Sequence, residues 1–325
     1  MAIYHCSAHN VSRSSGRTAT ASIAYRAGEK IHDQRTGLTH DYTKRARHQE
    51  IAHTQIISNL GAKIDRSELW NLAEMRENRK DARTAKEFVI ALPHELDKQE
   101  RQELAIAFAQ HLVNRYDCVA DVAIHTPSRA GDERNHHAHI MLTTRKAELG
   151  ADNRLVLTEK IDLELSNAKR KELGLQSSSK EIISIRQDWE RIANAHLERA
   201  GIAERIDHRS HKELENGKIP QIHETPQVTA MRRKGIETEI SRANDERRAY
   251  NAQIDHQNAL ERPTEPQKGA ESDLLAKAQA SLQNRLQERL EQREQARQAE
   301  QQAERERQAQ EIEQSRQNQD RGFSR

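Results

Sequence analysis

Apolar and polar positions alternate from residue 3 to residue 9, the period of a strand whose side chains point to opposite faces in turn. Ser12-Arg13-Ser14-Ser15-Gly16-Arg17 then reads as a loop rich in hydroxyls and basic groups. Residues 18–27 are small and helix-compatible, with Ala19, Ala21, Ile23 and Ala24 on an inner side and Gly28 as the stop. Short strands are predicted at 40–43 and 54–58. Asp65 opens a helix to about residue 78 that buries Leu69, Leu72, Ala73 and Met75.

The middle of the chain is patterned more strongly. Residues 85–92 read as a strand ended by Pro93, and Asp97 caps a helix to about Arg115 with Leu104, Ile106, Ala107, Phe108, His111 and Leu112 on its apolar face. Two more strands are predicted at 119–125 and 137–144. A helix at 179–200, centred on Trp189, ends at Gly201. Strands interleaved with helices, over loops too short for many crossovers, predict an α+β fold. Its sheet is antiparallel, with helices packed mainly on one face.

Composition divides the chain. Only 34% of its 325 residues are hydrophobic and 32% are charged, too polar for one uniform core. Nine of the ten aromatics precede residue 251, and sixteen of the seventeen histidines lie at or before His223. A folded domain is therefore expected at 1–225, then a linker and short helical region at 226–268 marked by Pro263 and Pro266. Residues 269–325 are mostly Gln, Glu, Arg and Ala. Leu274, Leu275, Leu282, Leu286, Leu290 and Ile312 make no sustained heptad there, so a polar tail is expected, as a long charged helix, a weak coiled coil or a disordered segment.

No run of about 18 apolar residues exists, which excludes a membrane-spanning helix. The first six residues, Met1 to Cys6, lack the basic-then-apolar pattern of a signal peptide. Cys6 and Cys118 form neither metal-ligand spacing nor a disulfide framework, as expected of reduced thiols in a cytoplasmic protein. The net charge of +2 conceals a basic start, with eight Lys/Arg against four Asp/Glu in residues 1–50. Such an end suits phosphate.

The chemistry is densest in Asp121-Val122-Ala123-Ile124-His125 and Asn135-His136-His137-Ala138-His139. On strands, His137 and His139 share a face while Ala138, Ile140 and Leu142 take the other. If the two strands pair, His125 joins them, and His136 points away as a structural residue. Three neutral imidazoles suit a divalent ion and leave coordination positions for phosphate oxygens. Solvated or hydrogen-bonded histidines are the plainer alternative. Tyr25 follows the basic loop on the small-residue helix. Read alone it is a packed aromatic, since a phenol is a poor nucleophile without a base or metal. Beside three histidines it becomes the leading nucleophile, ahead of Tyr4 and Tyr42, which fall in predicted strands.

At these residues the chain resembles the MobA/MobL family of plasmid mobilisation relaxases. The likeness is carried by 12–17, by Ala24-Tyr25-Arg26-Ala27-Gly28-Glu29-Lys30 and by His40-Asp41-Tyr42-Thr43. It continues in Ala91-Leu92-Pro93, Ala123-Ile124-His125, residues 135–145 and Ile206-Asp207-His208-Arg209-Ser210, and so spans about 1–225. The resemblance implies a sheet whose two central strands carry the histidines, with His125, His137 and His139 holding Mg²⁺ or Mn²⁺. It also implies Tyr25 as the nucleophile that nicks single-stranded origin-of-transfer DNA, keeps a 5′-phosphotyrosine link and later rejoins the strand. Accessory mobilisation proteins and a coupling protein are implied partners.

In that family the strand before the Ala-Leu-Pro element often carries two carboxylates. Here Glu87 is present, to orient a histidine or accept a proton, and Val89 stands at the second position. Arg13, Arg17, Arg26 and Lys30 surround the nucleophile and are expected to hold DNA phosphates. A rolling-circle replication initiator shares this chemistry, but its tyrosine typically follows the histidines, whereas Tyr25 precedes His125 by 100 residues. A non-enzymatic DNA-binding protein and a metal hydrolase attacking with water are the rivals of other classes.

Overall fold

The structure is a computed structural model and describes residues 4–48, 50–127 and 134–261. The described residues up to Asn251 belong to one compact unit, and the chain from Ala252 on is divided from it. The expected tail at 269–325, and the linker from 262 on, lie outside the described residues.

In chain order the first half runs β1 (Cys6–Ser12), α1 (Ala19–Ala27), β2 (Lys30–His32), β3 (Thr39–Asp41), α2 (Thr43–Arg47), β4 (Ile51–Ile57) and α3 (Arg66–Arg76). It continues with β5 (Arg83–Ala91), α4 (Lys98–Tyr116), β6 (Ala120–His125), β7 (His137–Thr143), β8 (Arg145–Leu149) and β9 (Leu155–Lys160). Helices α5 (Asn167–Glu172), α6 (Ser178–Arg199), α7 (Pro226–Arg233) and α8 (Glu239–Glu261) follow. Five strands pair antiparallel in the order β1-β5-β7-β6-β4, and β2-β3 and β8-β9 are separate hairpins. The fold is α+β, as the pattern predicts.

Local chemistry places the helix ends. Asp97 accepts from the Glu100 N–H while Glu100 reaches back to the Asp97 N–H, a capping box that starts α4. Asp65 caps α3 through the Glu68 N–H, and Thr18 caps α1 through the Ala21 N–H. The predicted strand at 40–43 is shorter than expected. The Asp41 carboxylate accepts from both the Thr43 N–H and its hydroxyl, which turns the chain into α2.

Alternation along the central strands separates two cores. Phe88, Ile90, Val122, Ile124, Ala138, Ile140 and Leu142 face α4 and α6, where Phe108 packs edge-on to Phe88 and Trp189 at 6.5 and 5.1 Å. Each such large side chain contributes about 1.5–3 kcal/mol when fully buried. On the other face, Ala85 and Met141 meet Ile23 and Ala24 of α1 and Leu69 and Trp70 of α3. Helices α4 and α6 cover the first face, and α1 and α3 cover part of the second. Small residues let α1 settle over part of the second face, and the remainder of that face carries the histidines.

One buried ion pair ties this second face together. Asp121 on β6 accepts from Arg66 at 2.8 and 2.9 Å and from the Trp70 indole at 2.9 Å. Removing the cation leaves a carboxylate stranded in the core. Arg66→Ala is expected to lower the unfolding free energy by about 3–5 kcal/mol, read as a fall in the urea midpoint at unchanged slope.

Candidate functional site

The register of the central strands assembles the site. His125 on β6 lies directly opposite His137 on β7, and Ala123 lies opposite His139. On the other side of β7, Val89 lies opposite His139 and Glu87 opposite Met141. Opposed residues of an antiparallel pair share a face. His125, His137, His139 and Glu87 therefore project together. The imidazole centroids are 4.7–5.3 Å apart, and one nitrogen of each ring lies within 4.8 Å of the others.

Each ring is held by one nitrogen. His125 Nε2 donates to the Arg26 carbonyl at 2.8 Å, His137 Nδ1 to the Asn135 carbonyl at 3.1 Å, and His139 Nδ1 to Glu87 Oε1 at 2.7 Å. All three partners are acceptors only, so the facing nitrogen carries the proton and the second keeps its lone pair. Burial pushes His125 down to about 3 against the opposing bond to the Arg26 carbonyl, and repulsion from His139 and His137 adds to the fall. Burial also lowers His137. Both rings are accordingly neutral near pH 7, the form that ligates a metal. A carboxylate behind one ring and carbonyls behind the others are the usual outer support of histidine ligands. The donor set fits a divalent cation.

Glu87 is buried beneath this cluster. Burial opposes its ionisation, but the bonds from His139 and Arg26 outweigh it and hold its carboxyl at about 2. Both oxygens are taken, Oε1 by His139 and Arg26 Nε and Oε2 by Arg26 Nη2 at 2.6 Å. A carboxylate so engaged orients His139 and is a poor proton acceptor. Val89 adds no second carboxylate.

Tyr25 stands on the last turn of α1, 46% exposed, one residue from the carbonyl that holds His125. Its hydroxyl has no hydrogen-bond partner among the described residues. Gly28 ends the helix in the left-handed region, φ 65°, where a side chain would also strike Ile51 and Ala46.

The four basic residues expected at DNA part ways. Arg17 and Lys30 are exposed. Arg26 points inward, only 13% exposed, with its donors on Glu87 and the Ser22 carbonyl. Arg13 is also spent internally, on Glu74 and on the Glu77 and Arg79 carbonyls. Glu74 in turn accepts from the Ala19 N–H at 2.6 Å, which secures the start of α1. All five Arg13 N–H groups are engaged and Arg26 directs three of its own to internal acceptors, so both side chains are held in contacts around α1. Arg45, not among the expected site residues, lies over the Tyr25 ring at 3.8 Å.

Three imidazoles thus cluster on the central strands of an antiparallel sheet, with an exposed tyrosine on the adjoining helix. The chain belongs to the MobA/MobL family, whose model matches residues 17–234. It is 35% identical to the mobilization protein MobL of Acidithiobacillus ferridurans over 87% of this chain and 78% of that protein. A probable mobilization protein MobA of Bifidobacterium longum is 31% identical over 77% of this chain, which spans about half (48%) of that longer relative. Among solved structures, one describing the molecular basis of vancomycin resistance transfer in Staphylococcus aureus is 30% identical. It covers 64% of this chain and all of its own (100%), with a TM-score of 0.52.

Proposed function

We propose that this protein nicks one DNA strand at a plasmid origin of transfer, holds it as a 5′-phosphotyrosine and rejoins it, for conjugative mobilisation. The observation that carries this reading is a cluster of three histidines, each with one nitrogen within 4.8 Å of the others, tied through the Arg26 carbonyl to the helix turn that bears the exposed Tyr25. Tyr25 Oη attacks the scissile phosphorus, the tyrosine O–P bond forms as the 3′-oxygen–phosphorus bond breaks, and the leaving oxygen takes up a proton. One phosphodiester replaces another, so the bond is kept for the reverse attack by a 3′-hydroxyl, with no nucleotide cofactor. Held by one nitrogen each of His125, His137 and His139, Mg²⁺ or Mn²⁺ would polarise the phosphate and offset charge on its non-bridging oxygens. Glu87 keeps the His139 ring in its ligating tautomer, and Arg26 keeps Glu87 ionised. Arg17 and Lys30 supply phosphate contacts that hold the strand in register. Among the described residues no helix is long and apolar enough to cross a membrane.

The test uses the full chain and a labelled single-stranded oligonucleotide spanning the nick region of the replicon that encodes it. With Mn²⁺ we expect a detergent-resistant protein–DNA adduct and a free 3′-hydroxyl fragment, both abolished by chelator. Absence of cleavage with every divalent ion would reject the reading in favour of a binding protein. Glu87→Gln is expected to raise the Mn²⁺ concentration for half-maximal cleavage by about 10–100-fold, while DNA binding measured with chelator present stays as it was.

A further inference from the structure

We propose that Arg45 is a positioning residue for the nucleophile, clamping the Tyr25 ring so that its hydroxyl faces the phosphate; this rests on Tyr25 attacking as described above. The clamp is made from one short segment. Arg45 Cζ lies 3.8 Å from the centroid of the Tyr25 ring, while the Tyr42 ring meets the same ring edge-on at 5.2 Å and 88°. A tyrosine has two side-chain torsions. A guanidinium on its face hinders ring rotation, and an aromatic edge beside it hinders the swing about χ1. The hydroxyl, unpartnered among the described residues, is left to a narrow arc.

Arg45 is itself immobilised. Its Nε donates to Glu50 Oε2 at 2.7 Å and its Nη1 to the Tyr25 carbonyl at 2.6 Å, so both the ring and the backbone of Tyr25 are gripped. The Glu50 carbonyl accepts from the Thr126 N–H at 3.0 Å, next to His125. One chain of contacts thus runs from Tyr25 through Arg45 and Glu50 to the strand end that carries a histidine of the triad. The sequence accommodates it by Gly28. A Cβ there would come within 3.1 Å of the Ala46 amide, so its absence lets α2 press against the end of α1 and lay Arg45 across the ring. A guanidinium that only served a surface ion pair would need neither the stacking nor the bond to Tyr25.

Arg45→Ala in the full chain is expected to lower kcat for oligonucleotide cleavage by about 10–100-fold with KM and melting temperature unchanged. Arg45→Lys keeps a cation over the ring without the fork, and is expected to recover part of the loss. Glu50→Gln should lower kcat less, and should add nothing in the Arg45→Ala background, because it acts only through that side chain. A raised KM at intact kcat would make Arg45 a phosphate contact and overturn the proposal. So would an additive effect of Glu50→Gln or a wild-type kcat in Arg45→Ala. If Arg45→Ala fails to melt cooperatively, the kcat-against-KM split in Arg45→Lys and Glu50→Gln decides the matter. Adduct formation by Tyr25→Phe would fault the underlying tyrosine chemistry instead.

Discussion

Tyr25→Phe is expected to abolish the covalent protein–DNA adduct and lower cleavage on the order of 10⁴-fold or more. The substitution removes one oxygen and little else. Phenylalanine keeps the ring between Arg45 and Tyr42, the helix keeps its cap at Gly28, and the Arg26 carbonyl still holds His125. Oligonucleotide affinity and melting temperature should therefore match the wild type, which separates a lost nucleophile from a lost fold. The competing phenols are poorly placed. Burial pushes the Tyr4 phenol well above its ordinary range, and its hydroxyl is enclosed and unpartnered among the described residues. Tyr42 is half-buried against Tyr25. Tyr42→Phe should still form the adduct. An adduct surviving in Tyr25→Phe, or cleavage without one, would replace the tyrosine by another nucleophile or by water.

The second large effect concerns the triad. His139→Ala is expected to reduce Mn²⁺-supported cleavage by about 10²–10³-fold and to move the metal titration to higher concentration. His139 is the best-supported of the three rings, fixed by a buried carboxylate that is fixed in turn by Arg26. Its loss leaves two imidazoles and returns Glu87 to Arg26 alone. Isothermal titration with Mn²⁺ reads the site without DNA, so a ligand's loss is visible apart from turnover. His137→Ala should act in the same direction. A wild-type titration in either variant would remove that histidine from the metal site.

The two variants together test features that differ in how far they could be read ahead. The histidine face was legible because a strand's period is two. His137 and His139 had to project together, and pairing of β6 with β7 brought His125 opposite His137. The Asp97 capping box and the apolar stripe of α4 were equally local, written within a few residues of one another. The basic residues around Tyr25 were not. Nothing near Arg26 marks it for burial, because its partner Glu87 is 61 residues away and reaches it only when β5 enters the sheet. Arg13 and Glu74 are likewise 61 residues apart. Their charge was visible in the chain, and its destination was not.

Period and spacing alone were enough to determine the antiparallel α+β frame, the shared face of the histidines and the tyrosine on a capped helix. These depend on backbone geometry and on hydrogen bonds among near neighbours, which act before distant segments meet. Tertiary structure decided which positive charges are drawn into internal ion pairs, that Glu87 supports His139, and that α1 lies over the sheet with Arg45 across Tyr25. The reason is that a charge gains from whichever opposite charge or ring the folded chain places within a few ångströms. That distance is set by packing, not by position along the chain.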